Sequence, residues 1–131
     1  MPPQIPAVAY LRIDPPGLVG SRCADCGAVY LLARIACASC GGANLTADVE
    51  LATTGTVTTA TVVRRGMPGV PTPFTSGVVA LDGGGFVRCT LTGAEDPVAV
   101  VGRRAALETG VVGTDVAGTA AVGFTFRVEA A

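Results

Sequence analysis

The chain has 131 residues, nine arginines, no lysine and ten carboxylates, for a formal charge of −1. A charge so near zero gives no global field to gather a polyanion, which counts against nucleic acid as the partner. There is no histidine, so the commonest general base and every Ser-His or Cys-His nucleophile are excluded; an enzyme built from this chain alone would rest on carboxylates or a bare thiol.

Half of the residues are hydrophobic, yet aromatics are few and tryptophan is absent. The core must be built from Val, Ala, Leu and Thr methyls; the β-branched members favour strands and the glycines favour turns, which predicts a small all-β body. No apolar run approaches the roughly 20 residues needed to span a bilayer. Met1-Pro2-Pro3-Gln4 lacks the pattern of a signal peptide. A soluble protein of the reducing cytoplasm is expected.

Residues 1–20 carry five prolines around an apolar piece, Ala7 to Ile13, and read as an extended arm with at most a short helix or strand in its middle. Residues 21–47 hold the strongest motif: Cys23-Ala-Asp-Cys26-Gly27, then ten residues from Gly27 on, then Cys37-Ala-Ser-Cys40-Gly41. Two Cys-x-x-Cys knuckles can set four thiolates, Cys23, Cys26, Cys37 and Cys40, at the corners of a tetrahedron. The glycine after each pair suits a knuckle because that position often needs positive φ. Disulfides would require an oxidising compartment, and a thioredoxin-like centre needs one pair, not two. Four thiolates suit zinc or iron alike. A closed four-sulfur site leaves no position for substrate, so it reads as structural zinc. Between the knuckles, Val29 to Leu32 is expected to be a short strand.

Residues 48–131 read as a barrel. Thr56–Val63 is the first strand, Met67–Pro73 a proline loop and Phe74–Leu81 the second strand. Asp82-Gly83-Gly84-Gly85 turns into the third, Phe86–Leu91. A helical turn over Glu95–Val101, with Asp96 as cap and Pro97 at its first position, precedes a fourth strand, Arg103–Glu108. Gly110–Gly118 reads as a flexible loop and Ala121–Val128 as the fifth strand. Five strands with a break after the third fit a Greek-key barrel of the OB type. The expected fold is therefore mainly β: a rubredoxin-like zinc ribbon followed by a five-stranded OB-fold barrel.

The cysteine ribbon, the Gly55-Thr56-Val57 strand ending in Arg64-Arg65, and the run Pro73-Phe74-Thr75-Ser76-Gly77-Val78-Val79-Ala80-Leu81-Asp82-Gly83-Gly84 together resemble the zinc-ribbon plus OB-fold proteins associated with acyl-coenzyme A metabolism. Its N-terminus departs from that family, carrying prolines where members usually have a helical arm. The resemblance implies an accessory subunit of a larger acyl-CoA enzyme, such as a thiolase, thiolase-like synthase, aldolase or hydratase. Coenzyme A or acyl-CoA would be a shared ligand of a hetero-oligomer, with the partner supplying the catalytic residues.

Arg64, Arg65, Arg103 and Arg104 form the only doubled positive charges. If the ends of the first and fourth strands meet, these guanidinium groups could fork onto coenzyme A phosphates or a partner's carboxylates; solvated strand-end arginines are the bland alternative. Cys89 is read as a small buried hydrophobe, because its neighbour Arg88 must point to the opposite face of the strand. No two carboxylates form a general acid/base couple. The rival from another class is an OB-fold binder of single-stranded nucleic acid, which would need a basic groove with interleaved aromatics.

Overall fold

Alternation in the Val- and Thr-rich half of the chain is converted directly into a barrel wall. In Phe74–Leu81 and Phe86–Thr92 every second side chain is buried, as two strands with one dry face require. The computed structural model describes residues 3–93 and 96–129. Among them are ten strands and one short helix: β1 Gln4–Pro6, β2 Leu11–Arg12, β3 Gly17–Cys23, β4 Val29–Leu31, β5 Leu45–Leu51, β6 Thr54–Val63, β7 Phe74–Leu81, β8 Phe86–Thr92, α1 Pro97–Val100, β9 Arg104–Thr114 and β10 Ala120–Val128.

Five strands close the barrel. β6 pairs with β7, β7 with β8, β6 with β9 and β9 with β10, all antiparallel. The ring is completed by parallel pairing of β10 with β8 at Phe126↔Leu91 and Arg127↔Thr92. This is the expected mainly-β OB-type barrel, with α1 at the break between its third and fourth strands. Asp96 caps α1 by accepting from the Val98 N–H at 2.9 Å, and Pro97 opens it; Glu95 lies outside the described residues. Phe126, Val57, Val79 and Val87 fill the interior, each at most 1% exposed, and each such side chain contributes roughly 1.5–3 kcal/mol by leaving water.

The second sheet belongs to the cysteine module: β3 pairs with β2, β4 and β5. The expected strand at Val29–Leu32 is present as β4, whereas β3 and β5 were not anticipated. Gly17 and Gly20 interrupt the β-branched pattern of β3 and hide it. Gly20 has a physical reason to be there, since a Cβ would stand 2.0 Å from the Tyr30 carbonyl oxygen of the neighbouring strand. Only glycine lets β3 and β4 approach so closely.

Three further features refine the sequence reading. The N-terminal arm is pinned at two points, with β1 parallel to β10 and β2 on β3. β3 runs unbroken through residues 20 and 21, and β5 through residues 47 and 48. The loop expected over Gly110–Gly118 shrinks, because β9 runs to Thr114 along β10 and a bulge between Ala121 and Val122 absorbs the register change. Asp115 then closes the hairpin, its Oδ1 accepting from the N–H groups of Ala117 and Thr119 at 2.9 Å.

The two sheets share one apolar cluster, in which Leu11, Leu18 and Leu51 join Val57, Val79 and Phe126. The β7–β8 turn also abuts the cysteine module: Gly84 has φ +121°, and a Cβ there would lie 3.0 Å from Val29 Cγ2. Both the backbone conformation and the seam demand glycine. Replacing Gly84 by alanine is therefore expected to lower stability by about 1–3 kcal/mol, read as an earlier midpoint in urea unfolding.

Candidate metal centre

Each cysteine pair is held by the same local device. In the first, the Gly27 N–H donates to the Cys23 carbonyl and the Cys23 N–H to the Ala28 carbonyl, both at 2.8 Å; in the second, Gly41 donates to Cys37 at 2.9 Å and Cys37 to Gly42 at 2.8 Å. Gly27 and Gly41 have φ of +81° and +76°, the left-handed conformation that the sequence pattern requires of them. β3 delivers Cys23 as its last residue, and the chain after β4 returns to deliver Cys37.

The four Sγ atoms of Cys23, Cys26, Cys37 and Cys40 lie within 4.8 Å of one another. Cys23–Cys40 and Cys26–Cys37 are separated by 3.6 and 3.5 Å. These are far too long for disulfides, whose sulfurs sit about 2.05 Å apart. They approach the ~3.8 Å edge of a tetrahedron with metal–sulfur bonds of about 2.3 Å. Cys23 and Cys37 are buried while Cys26 and Cys40 are exposed, so the inner pair anchors the site and the outer pair closes it.

The electrostatics of the cluster make the same case. The Tyr30 hydroxyl, 3.3 Å from Cys37 Sγ, together with the backbone N–H groups of Cys40 and Ser39, holds the Cys37 thiol down to about 6. The Gly42 N–H favours the Cys40 thiolate, yet the Cys23, Cys26 and Cys37 sulfurs outweigh it and push Cys40 up to about 12. Four adjacent thiolates cannot coexist without a cation; a divalent ion supplies the opposing charge and displaces the protons. The donor set and its spacing thus fit a structural zinc ion in a closed site.

The arginines separate into two groups. Arg104 stands opposite Thr56, near the start of β6, whereas Arg64 and Arg65 follow its far end, more than ~20 Å away at the strand rise of about 3.3 Å per residue. The expected meeting of the four does not occur, because the chain entering β9 pairs with the start of β6, over Thr54–Val57. Arg104 is also engaged: Nη1 and Nη2 donate to Asp82 Oδ1 and Oδ2 at 2.8 and 2.5 Å, and Thr54 Oγ1 donates to Oδ2 at 2.6 Å. The Arg104 guanidinium, with the Thr54 hydroxyl, holds the Asp82 carboxyl well below the usual carboxylate range. Arg103 is half-buried beside α1. Arg64 and Arg65 are exposed.

Two residues to which the sequence assigns no site role stand out. Tyr30, one of only two tyrosines, touches the metal cluster; its place between the knuckles was the available signal. Arg88 lines a shallow groove on the outer wall of β6, β7 and β8 with Thr59, Thr61, Val63, Ser76 and Val78. Its neighbour Cys89 points inward, 8% exposed, and burial pushes its thiol up to about 12, so it is a core residue and not a nucleophile. Among the described residues no helix is long and apolar enough to cross a membrane.

Comparison with known proteins bears on both halves. A family model described as the ChsH2 rubredoxin-like zinc ribbon domain matches residues 13–46, and one described as the ChsH2 C-terminal OB-fold domain matches residues 48–110. A chain of a solved structure described as Ltp2-ChsH2(DUF35) aldolase superposes with a TM-score of 0.64 at 23% identity, covering 95% of this chain and 98% of that one. A DUF35-family protein of unknown function from Sulfolobus solfataricus gives 0.51 at 19% identity, covering 85% and 75%. No curated protein sequence matches the chain.

Two outcomes are expected at this centre and its neighbouring clamp. Stripping the metal with a strong chelator should raise hydrogen exchange throughout β3, β4 and the knuckles while β7 and β8 keep their protection, because the ion supplies much of the folding free energy of so small a module. Asp82 titrates lower in the folded chain than unfolded, so its contribution is present above the unfolded value of about 3.9 and is lost as pH falls below it. Asp82→Asn should accordingly flatten the acid limb of a stability–pH profile below about pH 4 and leave the profile above pH 6 with the same slope.

Proposed function

Because the chain belongs to the ChsH2 family of zinc-ribbon and OB-fold proteins, we propose that it is a non-catalytic accessory subunit of an acyl-coenzyme A enzyme of the thiolase superfamily, helping to complete that enzyme's acyl-CoA site. The observation that carries the reading is the β9–β10 hairpin. From Glu108 to Thr114 every residue of β9 is exposed, and Val111, Val112 and Val116 are 57%, 69% and fully exposed. Apolar side chains on a projecting hairpin, in a chain of net charge −1, are what a protein interface covers. The related chain in the aldolase structure spans nearly the same length, which supports a hetero-oligomer with an enzyme.

The division of labour follows from what the chain lacks. It has no histidine, its one cysteine outside the metal cluster is buried, and a four-sulfur zinc site offers no open position. Catalytic groups would come from the partner, and this chain would contribute shape and charge. For coenzyme A phosphates the supporting residues are Arg64 and Arg65, with Arg88 on the wall between them and the β7–β8 turn. No carboxylate occurs between Leu51 and Leu81, so this wall has no competing anion on β6 or β7. Arg104 is committed to Asp82 and is not counted among them.

Gentle purification of the chain from its native cells should bring a larger acyl-CoA enzyme in equal numbers, with one zinc per chain. Val112→Glu should remove that enzyme while leaving the zinc and the circular dichroism intact. In the reconstituted complex, Arg64→Ala with Arg65→Ala should weaken coenzyme A binding about tenfold or more, the scale of one lost charge-assisted hydrogen bond. Recovery of the chain alone, or with nucleic acid, would sink the proposal.

A further inference from the structure

The cysteine cluster has an outer neighbour whose geometry goes beyond holding the ribbon together. Tyr30 lies mid-way along β4, seven residues before Cys37, and its hydroxyl sits 3.3 Å from Cys37 Sγ. The same oxygen accepts from the Ser39 N–H at 3.2 Å. The ring is itself covered, with the Arg34 guanidinium carbon 4.6 Å from its centroid, and Arg34 Nε donates to the Ala36 carbonyl at 3.3 Å. One aromatic side chain therefore connects the sheet strand, the intervening loop and the second knuckle.

The direction of the sulfur contact follows from proton count. A hydroxyl has one proton. With four cysteines as thiolates around a metal ion, Cys37 has none to give, so Tyr30 must be the donor. Its lone pair meanwhile serves the Ser39 N–H. Both hydrogen-bonding capacities of the hydroxyl are directed at the Cys37–Cys40 knuckle, and one falls on a ligand atom.

We propose that Tyr30 is a positioning residue of the metal centre, donating a hydrogen bond to the Cys37 sulfur that sets this ligand's electron donation and holds the second knuckle against loss of the ion. Tyr30 donates to Cys37 and to no other sulfur, whereas Cys40 receives a backbone donor, the Gly42 N–H at 3.4 Å, so the ligands are inequivalent. The Arg34 guanidinium over the ring helps hold the aromatic side chain beside the second knuckle. Outer-shell partners of this kind ordinarily change metal retention by 10–100-fold when removed.

The test uses the full chain loaded with cobalt(II) or zinc, and the variant Tyr30→Phe, which keeps the ring and deletes the hydroxyl. Without its hydrogen bond the Cys37 sulfur is the better electron donor, so the sulfur-to-cobalt charge-transfer band should move to lower energy. Zinc transfer to a competing chelator should be about tenfold faster. A variant that keeps the β-sheet signal in far-UV circular dichroism but takes up no cobalt also supports the assignment. An unmoved band with unchanged zinc transfer would overturn it. Loss of the sheet signal would overturn it too, because Tyr30 would then be a folding residue instead of a ligand-positioning one. None of these readouts depends on a partner enzyme, so they stand apart from the accessory-subunit proposal.

Discussion

Four sulfurs gathered within 4.8 Å repel one another once they ionise, and the N-terminal third of the chain depends on what offsets that repulsion. The surrounding module cannot do it by packing alone. Its strands are short, and the loop from Leu32 to Ala36 is largely exposed, with Ile35 at 94%. A divalent cation reverses the sign of the interaction: each thiolate that was a liability becomes a ligand, and ligand binding becomes folding free energy. Because Cys23 is the last residue of β3, the ion fixes the end of the strand to which β2, β4 and β5 all attach. Leu18, fully buried in the same strand, carries that order into the shared apolar cluster.

At the other end of the seam a polar clamp plays the corresponding part. The β7–β8 turn must be tight enough for Gly84 to lie against Val29, and it is held by Asp82, which receives Arg104 in a bidentate fork and Thr54 besides. The clamp is exposed, so its energetic weight is small. Its value lies in geometry: β6, β9 and the turn meet at one carboxylate, and the barrel closes there in a fixed register. This also explains why doubled arginines do not share a role. Arg104 sits where β9 enters the barrel and is consumed by structure; Arg64 and Arg65 sit where β6 leaves it and have no such partner strand.

What the sequence disclosed, and what it concealed, divides along physical lines. The knuckles were legible because two glycines at fixed offsets report a backbone conformation and four cysteines report a ligand set. β6, β7 and β8 were legible because β-branched alternation is a local property. β3 was hidden because its glycines serve close approach to Tyr30, a reason that exists only once the neighbouring strand is in place. β9 runs further than its sequence suggests because Gly110 and Gly113 look like loop residues, whereas β10 supplies the ladder that keeps them extended. Tyr30 and Arg88 were passed over for the opposite reason: each is ordinary in sequence, and its significance comes from residues seven or more positions away.

The distribution of chemistry over this fold has a direction. Among the described residues, the strong electrostatic features near the module seam are satisfied internally: the sulfurs by the ion they fit, Asp82 by Arg104, Arg12 by Glu50. The unsatisfied surface lies elsewhere, in the valines of the β9–β10 hairpin and in the arginines that follow β6 or line its outer wall. An enzyme that worked alone would show the reverse, with perturbed groups gathered in a cleft and an unremarkable exterior. Here the described interior is filled by apolar side chains, and the exterior is apolar at one edge and cationic at another. On the accessory-subunit proposal, such a molecule would acquire chemistry by being joined to an enzyme, and the closed metal site would keep the joined surfaces in fixed relation to each other.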